Sequence, residues 1–179
     1  MNRCLYHIGN GELLQLSKTA FLCSRMVPAS IVLKCYDWAI GQRESGRCVI
    51  SGFHSQIEKD VLHYLLKGDQ PIILALERGL RKRLAPELID ALAKDRLLII
   101  TPFGPGIRHA NQATSNRRNA LIAELADEIF VPFARPGGHV EQLAMKCLRK
   151  GKTVRTFHVP ENGKMIAAGA VCHPLIAGE

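Results

Sequence analysis

Six apolar runs of strand length recur along the chain, at residues 19–24, 48–52, 71–76, 97–101, 129–133 and 153–159. Runs without polar alternation belong to strands covered on both faces. Helical stripes lie between them. Ile31, Val32, Cys35, Trp38 and Ala39 fall on one helix face, with Pro28 expected at the first helical position. Ile57, Val61 and Leu65 make the next stripe, followed by Leu88, Ile89, Leu92 and Ala93, then Leu121, Ile122 and Leu125. Val140, Leu143, Ala144, Cys147 and Leu148 make the last, ahead of Gly151 as a C-terminal cap. Strict alternation of strand and helix implies right-handed crossovers and a mostly parallel sheet of six or more strands with helices on both faces. The expected fold is therefore an α/β, Rossmann-like domain over residues 19–160. Residues 1–18 read as a lead-in, irregular or a short strand. Residues 161–179 read as a turn followed by a last strand or docking arm, whose apolar content calls for cover from the body or from a second subunit.

A chain of 179 residues suits one well-buried core. Its 24 Lys+Arg against 16 Asp+Glu give a net charge of +8, which favours polyanionic partners. Cys23, Cys35, Cys48 and Cys147 sit inside apolar patterns, and with Cys4 and Cys172 they form no CxxC pair. They read as reduced, buried thiols, and the seven histidines make no metal-ligand spacing. No amino-terminal segment joins basic residues to a long apolar stretch, and the charge-free run 165–178 is too short to span a bilayer. A cytoplasmic protein without a metal or membrane partner is expected.

Candidate chemistry gathers at strand ends. In an open parallel sheet, the carboxyl ends are where ligands bind. Ser24-Arg25 closes the first run, where turn amides and a guanidinium suit a phosphate. In Ser51-Gly52-Phe53-His54-Ser55, Gly52 lets backbone approach a ligand, and Phe53 or His54 offers a ring to a base. Ser55 and Glu58 fit a capping box, a structural role. Downstream of Phe103-Gly104-Pro105-Gly106, residues 107–115 read as a polar connection that delivers Asn116-Arg117-Arg118-Asn119 to a helix start. Two cations there oppose the helix dipole unless an anion compensates. Pro136-Gly137-Gly138-His139 turns tightly after the fifth run, with the amides of Gly138 and His139 expected to face an anion. Arg78, Arg81, Lys82 and Arg83 extend the basic edge, whereas Lys146, Arg149, Lys150 and Lys152 suit a helix C-terminus and a solvated face. The expected phosphate-binding set is thus Ser24, Arg25, Ser51, Gly52, Phe53, His54, Arg117, Arg118, Asn119, Gly137, Gly138 and His139. No catalytic residue and no cofactor are assigned. Neither GxGxxG nor a Walker lysine is present, which disfavours NAD and P-loop chemistry.

In this order, Ser24-Arg25, Ser51-Gly52 with an acidic residue at 58, the Arg117-Arg118-Asn119 helix and the Gly137-Gly138 turn resemble the Rossmann-like domain of the DNA-processing protein A (DprA/Smf) family. That family lies within the wider SLOG group. The resemblance covers about residues 17–160, and Arg117-Arg118-Asn119-Ala120-Leu121-Ile122-Ala123-Glu124-Leu125-Ala126-Asp127 carries it most specifically. It implies binding of single-stranded DNA, dimerisation, a role in DNA processing or recombination, and a recombinase as partner. The chain departs from the family pattern at Ser55 and Gln56, which replace Arg-Gly, and at Glu58, which replaces Asp. A nucleotide-sensing module is a second reading. A third is a degenerate relative of the LOG phosphoribohydrolases, since Arg118-Asn119 and Pro136-Gly137-Gly138 are similar to part of their signature. Val140, Glu141 and Ala144 stand where that signature needs Gly, Thr and the catalytic Glu, so little hydrolase activity is expected.

Overall fold

The computed structural model of the protein describes residues 5–80 and 83–174. Cys4, Arg81, Lys82 and the last part, 175–179, of the expected arm lie outside the described residues. In chain order the strands are β1 (Tyr6–Gly9), β2 (Lys18–Phe21), β3 (Cys48–Ser51), β4 (Ile72–Ala75), β5 (Leu97–Thr101), β6 (Glu128–Val131), β7 (Thr153–Thr156) and β8 (Val171–Cys172). The helices are α1 (Ala29–Glu44), α2 (Gln56–Leu66), α3 (Pro86–Ala93), α4 (Gln112–Leu125), α5 (His139–Arg149) and α6 (Gly163–Ala167).

All eight strands form one sheet in the order β1-β5-β4-β3-β2-β6-β7-β8. Every pairing is parallel except β1 with β5. The chain begins its parallel course at β2 and builds outward through β3 and β4 to β5. It then crosses back over α4 to lay β6 on the other side of β2. The strand order therefore reverses at the β2–β6 pair, the place where such a sheet opens a crevice beyond its carboxyl ends.

Side chains alternate between the two faces. Ala20, Ile50, Ile73, Leu98 and Ile129 point to the face covered by α4, α5 and α6, whose Ile122, Ala144 and Met165 share their core. Phe21, Val49, Ile72, Ile99 and Phe130 point the other way, toward Cys35, Trp38, Val61 and Ala91 of α1, α2 and α3. Trp38 stacks on Phe130 with ring centroids 4.6 Å apart. The six expected strands and five expected helices are all present, and the sheet gains a strand at each edge. Leu13, in a short 3-10 turn after β1, covers the outer part of the first core.

Two local expectations differ. Pro28 is the N-cap of α1 rather than its first helical residue, holding an extended ψ of 142° before Ala29 turns helical. The helix that carries Arg117 and Arg118 begins earlier, at Gln112. Asn111 caps it, its side chain accepting from the Thr114 amide while the Thr114 hydroxyl accepts from the Asn111 amide. The two arginines thus lie in the second turn, where the dipole opposition argued from the sequence does not operate. The signal was the Asn-x-x-Thr pair, masked by the polar run around it.

Candidate functional site

At the strand-order reversal, the loops after β2 and β6 are stitched together. The Ser24 amide donates to Phe133 O at 3.1 Å, and the Ser24 hydroxyl accepts from the Arg135 amide at 2.8 Å. Arg25 beside it is exposed. Gly137 takes φ +72°, a left-handed conformation that favours glycine, and makes the turn ahead of α5. The amides of that turn are partly spent internally. Gly138 donates to Arg135 O at 2.9 Å, not outward as the sequence suggested, and Gly137 donates to Glu141 Oε1 at 3.1 Å. Glu141 is buried, and the same oxygen accepts from Lys164 Nζ at 3.4 Å. A carboxylate from within the chain thus sits in the first turn of α5, the position that favours negative charge. His139 remains exposed as the first residue of that helix.

One step along the sheet edge, Glu77 organises a second cluster just past β4. The residue is 5% exposed, and each of its carboxylate oxygens is engaged. Oε1 faces His54 Nδ1 at 3.1 Å; Oε2 accepts from the Ser115 hydroxyl at 2.5 Å and meets Arg118 Nη1 at 3.3 Å. Arg118 is equally buried, and its Nε donates to Asn119 Oδ1 at 3.0 Å. Its guanidinium lies close against Gly52, where an added Cβ would fall 2.3–2.7 Å from three guanidinium atoms. The close approach read from Gly52 is therefore made by Arg118 itself. Ser51 is committed elsewhere, its hydroxyl donating to Phe21 O at 2.7 Å inside the sheet.

The loop that presents His54 is fixed from several sides. Phe53 holds φ +45°, uncommon for a residue with a bulky side chain, and its ring is buried in the core under α1 and α2. It is an anchor and not a free stacking platform. Glu58 Oε2 accepts from the amides of both His54 and Ser55 at 2.9 Å, completing the capping box read from the sequence. The His54 side chain stays 47% exposed.

His54 and Glu77 stand at the mouth of a cleft of about 300 Å³, floored by Leu62, Leu74 and Leu88 and rimmed by Lys59, Arg78 and Arg83. Arg78 and Arg83, with Arg108, also line a neighbouring open hollow of about 420 Å³. Arg117 projects from α4 with its guanidinium over the Phe103 ring, 5.1 Å from the centroid. Arg25 after β2, Arg78 and Arg83 after β4, Arg108 after β5 and Arg117 on α4 thus place cations along this end of the sheet. Glu77, Ser115, Lys59 and Phe103 went unread as site residues. Glu77 in particular looks like an ordinary charge at a strand end, and only its burial marks it.

Other features are structural. Lys152 Nζ donates to the carbonyls of Ala123, Glu124 and Ala126 at 2.6–3.0 Å, closing the end of α4. Burial pushes the Cys35 thiol up to about 12 and the Cys48 thiol to about 11, which makes them poor nucleophiles. Cys23 is raised as well, chiefly by burial, and Cys147 likewise. No helix among the described residues is long and apolar enough to cross a membrane.

An open, mostly parallel α/β sheet reversing at β2–β6, with cations gathered at its carboxyl edge, defines a Rossmann-like domain. Within that class, the chain belongs to the DNA recombination-mediator protein A family, whose sequence profile matches residues 1–177. The fold is similar to that of DNA processing protein A from Streptococcus pneumoniae, with a TM-score of 0.79 at 18% identity. The match covers 94% of this chain and 62% of that one, so the chain spans under two thirds of that relative's length. The Helicobacter pylori protein of the same name, described by its single-stranded DNA binding mode, matches with a TM-score of 0.77 at 17% identity, covering 94% of this chain and 80% of that one. The molybdenum cofactor binding protein of Rippkaea orientalis shares the fold more loosely, with a TM-score of 0.64, 11% identity and coverage of 89% and 90%. No curated protein matches the chain by sequence.

Proposed function

We propose that this protein binds single-stranded DNA along the carboxyl edge of its sheet, holding phosphates on Arg25, Arg117, Arg78 and Arg83. The observation that carries the reading is the exposure of Arg25 after β2, Arg83 after β4 and Arg117 on α4, with half-buried Arg78 beside Arg83, while the neighbouring Arg118 is buried on Glu77 and serves as a brace. A flexible polyanion needs spaced charges and an aromatic or cationic surface for its bases. Arg117 on Phe103 supplies a guanidinium already fixed by a ring. The family and the Helicobacter pylori relative support the same ligand. The test is binding of an oligothymidylate to the parent and to Arg117→Ala. Loss of one charge-assisted contact should cost about 1.5–3 kcal/mol; unchanged affinity in a folded variant would remove Arg117 from the interface.

A homodimer and a recombinase partner follow from the family likeness. For the dimer there is a structural support: β8 lies at the edge of the sheet with Val171 and Cys172 exposed. Edges of this kind invite pairing. Light scattering that returns a monomer at high concentration would count against it.

A nucleotide-binding module without a polymer ligand is the second reading, favoured by the leucine-floored cleft beside His54. Hydrolysis of a nucleoside monophosphate is not part of the proposal. Glu141, the carboxylate nearest the expected register, has a 3% exposed side chain and is paired with Lys164. Free base released by the parent and not by Glu141→Ala would reverse this.

A further inference from the structure

We infer that the cleft between α2 and α3 is a separate subsite for one nucleotide unit, with His54 as its polar reader. It deepens the DNA reading by naming which surface takes a base, and it rests on that reading only for the polymer. The cleft does not open at the β2–β6 reversal. It lies beyond β3 and β4, and its walls come from α2, the end of β4 and the start of α3.

Three observations converge on a nucleotide. The first is chemical composition. Leu62, Leu74 and Leu88 give a flat apolar surface for a base, and Lys59, Arg78 and Arg83 give cations for a phosphate at the rim. A small-molecule site pairs an apolar lining with a few placed polar groups in this manner. The second is charge. Glu77, the carboxylate at the mouth, already receives His54, Ser115 and Arg118, so it does not repel an anion as a free carboxylate would. The third is preorganisation. His54 is held at its backbone amide by Glu58, at Nδ1 by Glu77 and through the chain by the buried, positive-φ Phe53. What remains available is Nε2, on a half-exposed side chain that lines the cleft. With Nδ1 engaged by the carboxylate, Nε2 is the ring nitrogen left to hydrogen-bond the edge of a base. A volume of about 300 Å³ admits one nucleotide and not two stacked ones.

The arrangement assigns the residues different duties. His54 touches the ligand; Glu77 positions His54 and, through its other oxygen, Arg118. A strand held along the edge would then turn one base out of its stack into the leucine floor.

The experiment compares the parent with Ala85→Trp and His54→Ala, using thymidine 5′-monophosphate and an oligothymidylate as separate probes in titration calorimetry. Ala85 is exposed and lines the cleft, so tryptophan there blocks the floor while leaving the core and Arg117 alone. The parent is expected to bind the mononucleotide, Ala85→Trp to lose that binding, and His54→Ala to weaken it by roughly tenfold, as the loss of a good hydrogen bond does. Oligomer binding should weaken in both variants yet survive on the cations. A parent that takes up no mononucleotide, or an Ala85→Trp variant that binds both probes like the parent, overturns the subsite. A parent that binds the mononucleotide in the cleft and ignores the oligomer overturns the DNA reading and leaves the subsite standing.

Discussion

Glu77 serves three donors from a position with little solvent, and that makes it the residue on which the site's geometry turns. A buried ion pair adds little net stability over an apolar pair, but stripping one partner leaves the other charge uncompensated. Glu77→Ala should therefore destabilise the fold by about 3–5 kcal/mol, read as a lower urea midpoint with an unchanged slope. Gly52→Ala strikes the same brace from the other side, since its Cβ would overlap the Arg118 guanidinium. Such overpacking typically costs about 1–3 kcal/mol, and a crystal structure of the variant should find Arg118 displaced from Glu77. The sequence singled out Gly52 and Arg118 without revealing that they touch each other. A glycine needed for close approach carries no mark of what approaches, whether a ligand or an arginine from 66 positions along the chain.

Elements were legible in proportion to how far local chemistry alone decides them. The Ser55–Glu58 box and the Gly151 cap, with its φ of +75°, needed only neighbours in sequence and were read correctly. Ser55→Ala should cost about 1 kcal/mol in thermal or urea unfolding, because Glu58 alone cannot serve the Glu58 amide that Ser55 now satisfies. The start of α4 was misread by several residues, because Gln112–Ser115 is polar whether helical or not and only the reciprocal Asn111–Thr114 bonds settle it. For edge strands β1 and β8 a short strand was one of two readings, beside an irregular lead-in and a docking arm. Both are short and largely exposed, so neither offers the continuous apolar run that betrays an inner strand. The last of these, β8, leads into His173, whose ring packs on Phe130 and Phe157. Burial, helped by the nearby Arg155, holds its imidazole below the ordinary value of 6.5, against a smaller opposing pull from Glu128. The folded chain therefore binds this proton less readily than the unfolded chain. Stability from this group is intact above the unfolded value and falls away as the pH drops through it toward the folded one. Urea midpoints taken at about pH 7.5 and about pH 5.5 should differ less in His173→Phe than in the parent. An equal difference in both would mean that other groups carry the acid sensitivity.

At the scale of the whole molecule, the alternation of apolar runs and helical stripes was enough to fix the fold class, because parallel crossovers leave few topologies open. The same pattern pointed to one edge of the sheet as the place for a site, since the parallel strands β2 to β8 all place their carboxyl ends on one side. It could not separate cations that brace from cations that face solvent. Arg117 and Arg118 are adjacent in sequence and opposite in fate, one over Phe103 and the other under Gly52. That division yields a quantitative expectation for DNA binding. Each phosphate neutralised on a single strand should contribute about 0.7 to the slope of log affinity against log salt. If Arg117 contacts a phosphate, Arg117→Ala should lower the slope by about that amount as well as the affinity. Arg78→Ala and Arg83→Ala should do the same, each through its own contact. Arg118→Ala is predicted to behave differently. It should lower stability because Glu77 is left without its buried cation, while at salt concentrations where the variant is folded its slope should match the parent's. A slope that drops for Arg118→Ala and not for Arg117→Ala would exchange the two roles, placing the phosphate in the Gly52 crevice and making the outer arginine the solvated one.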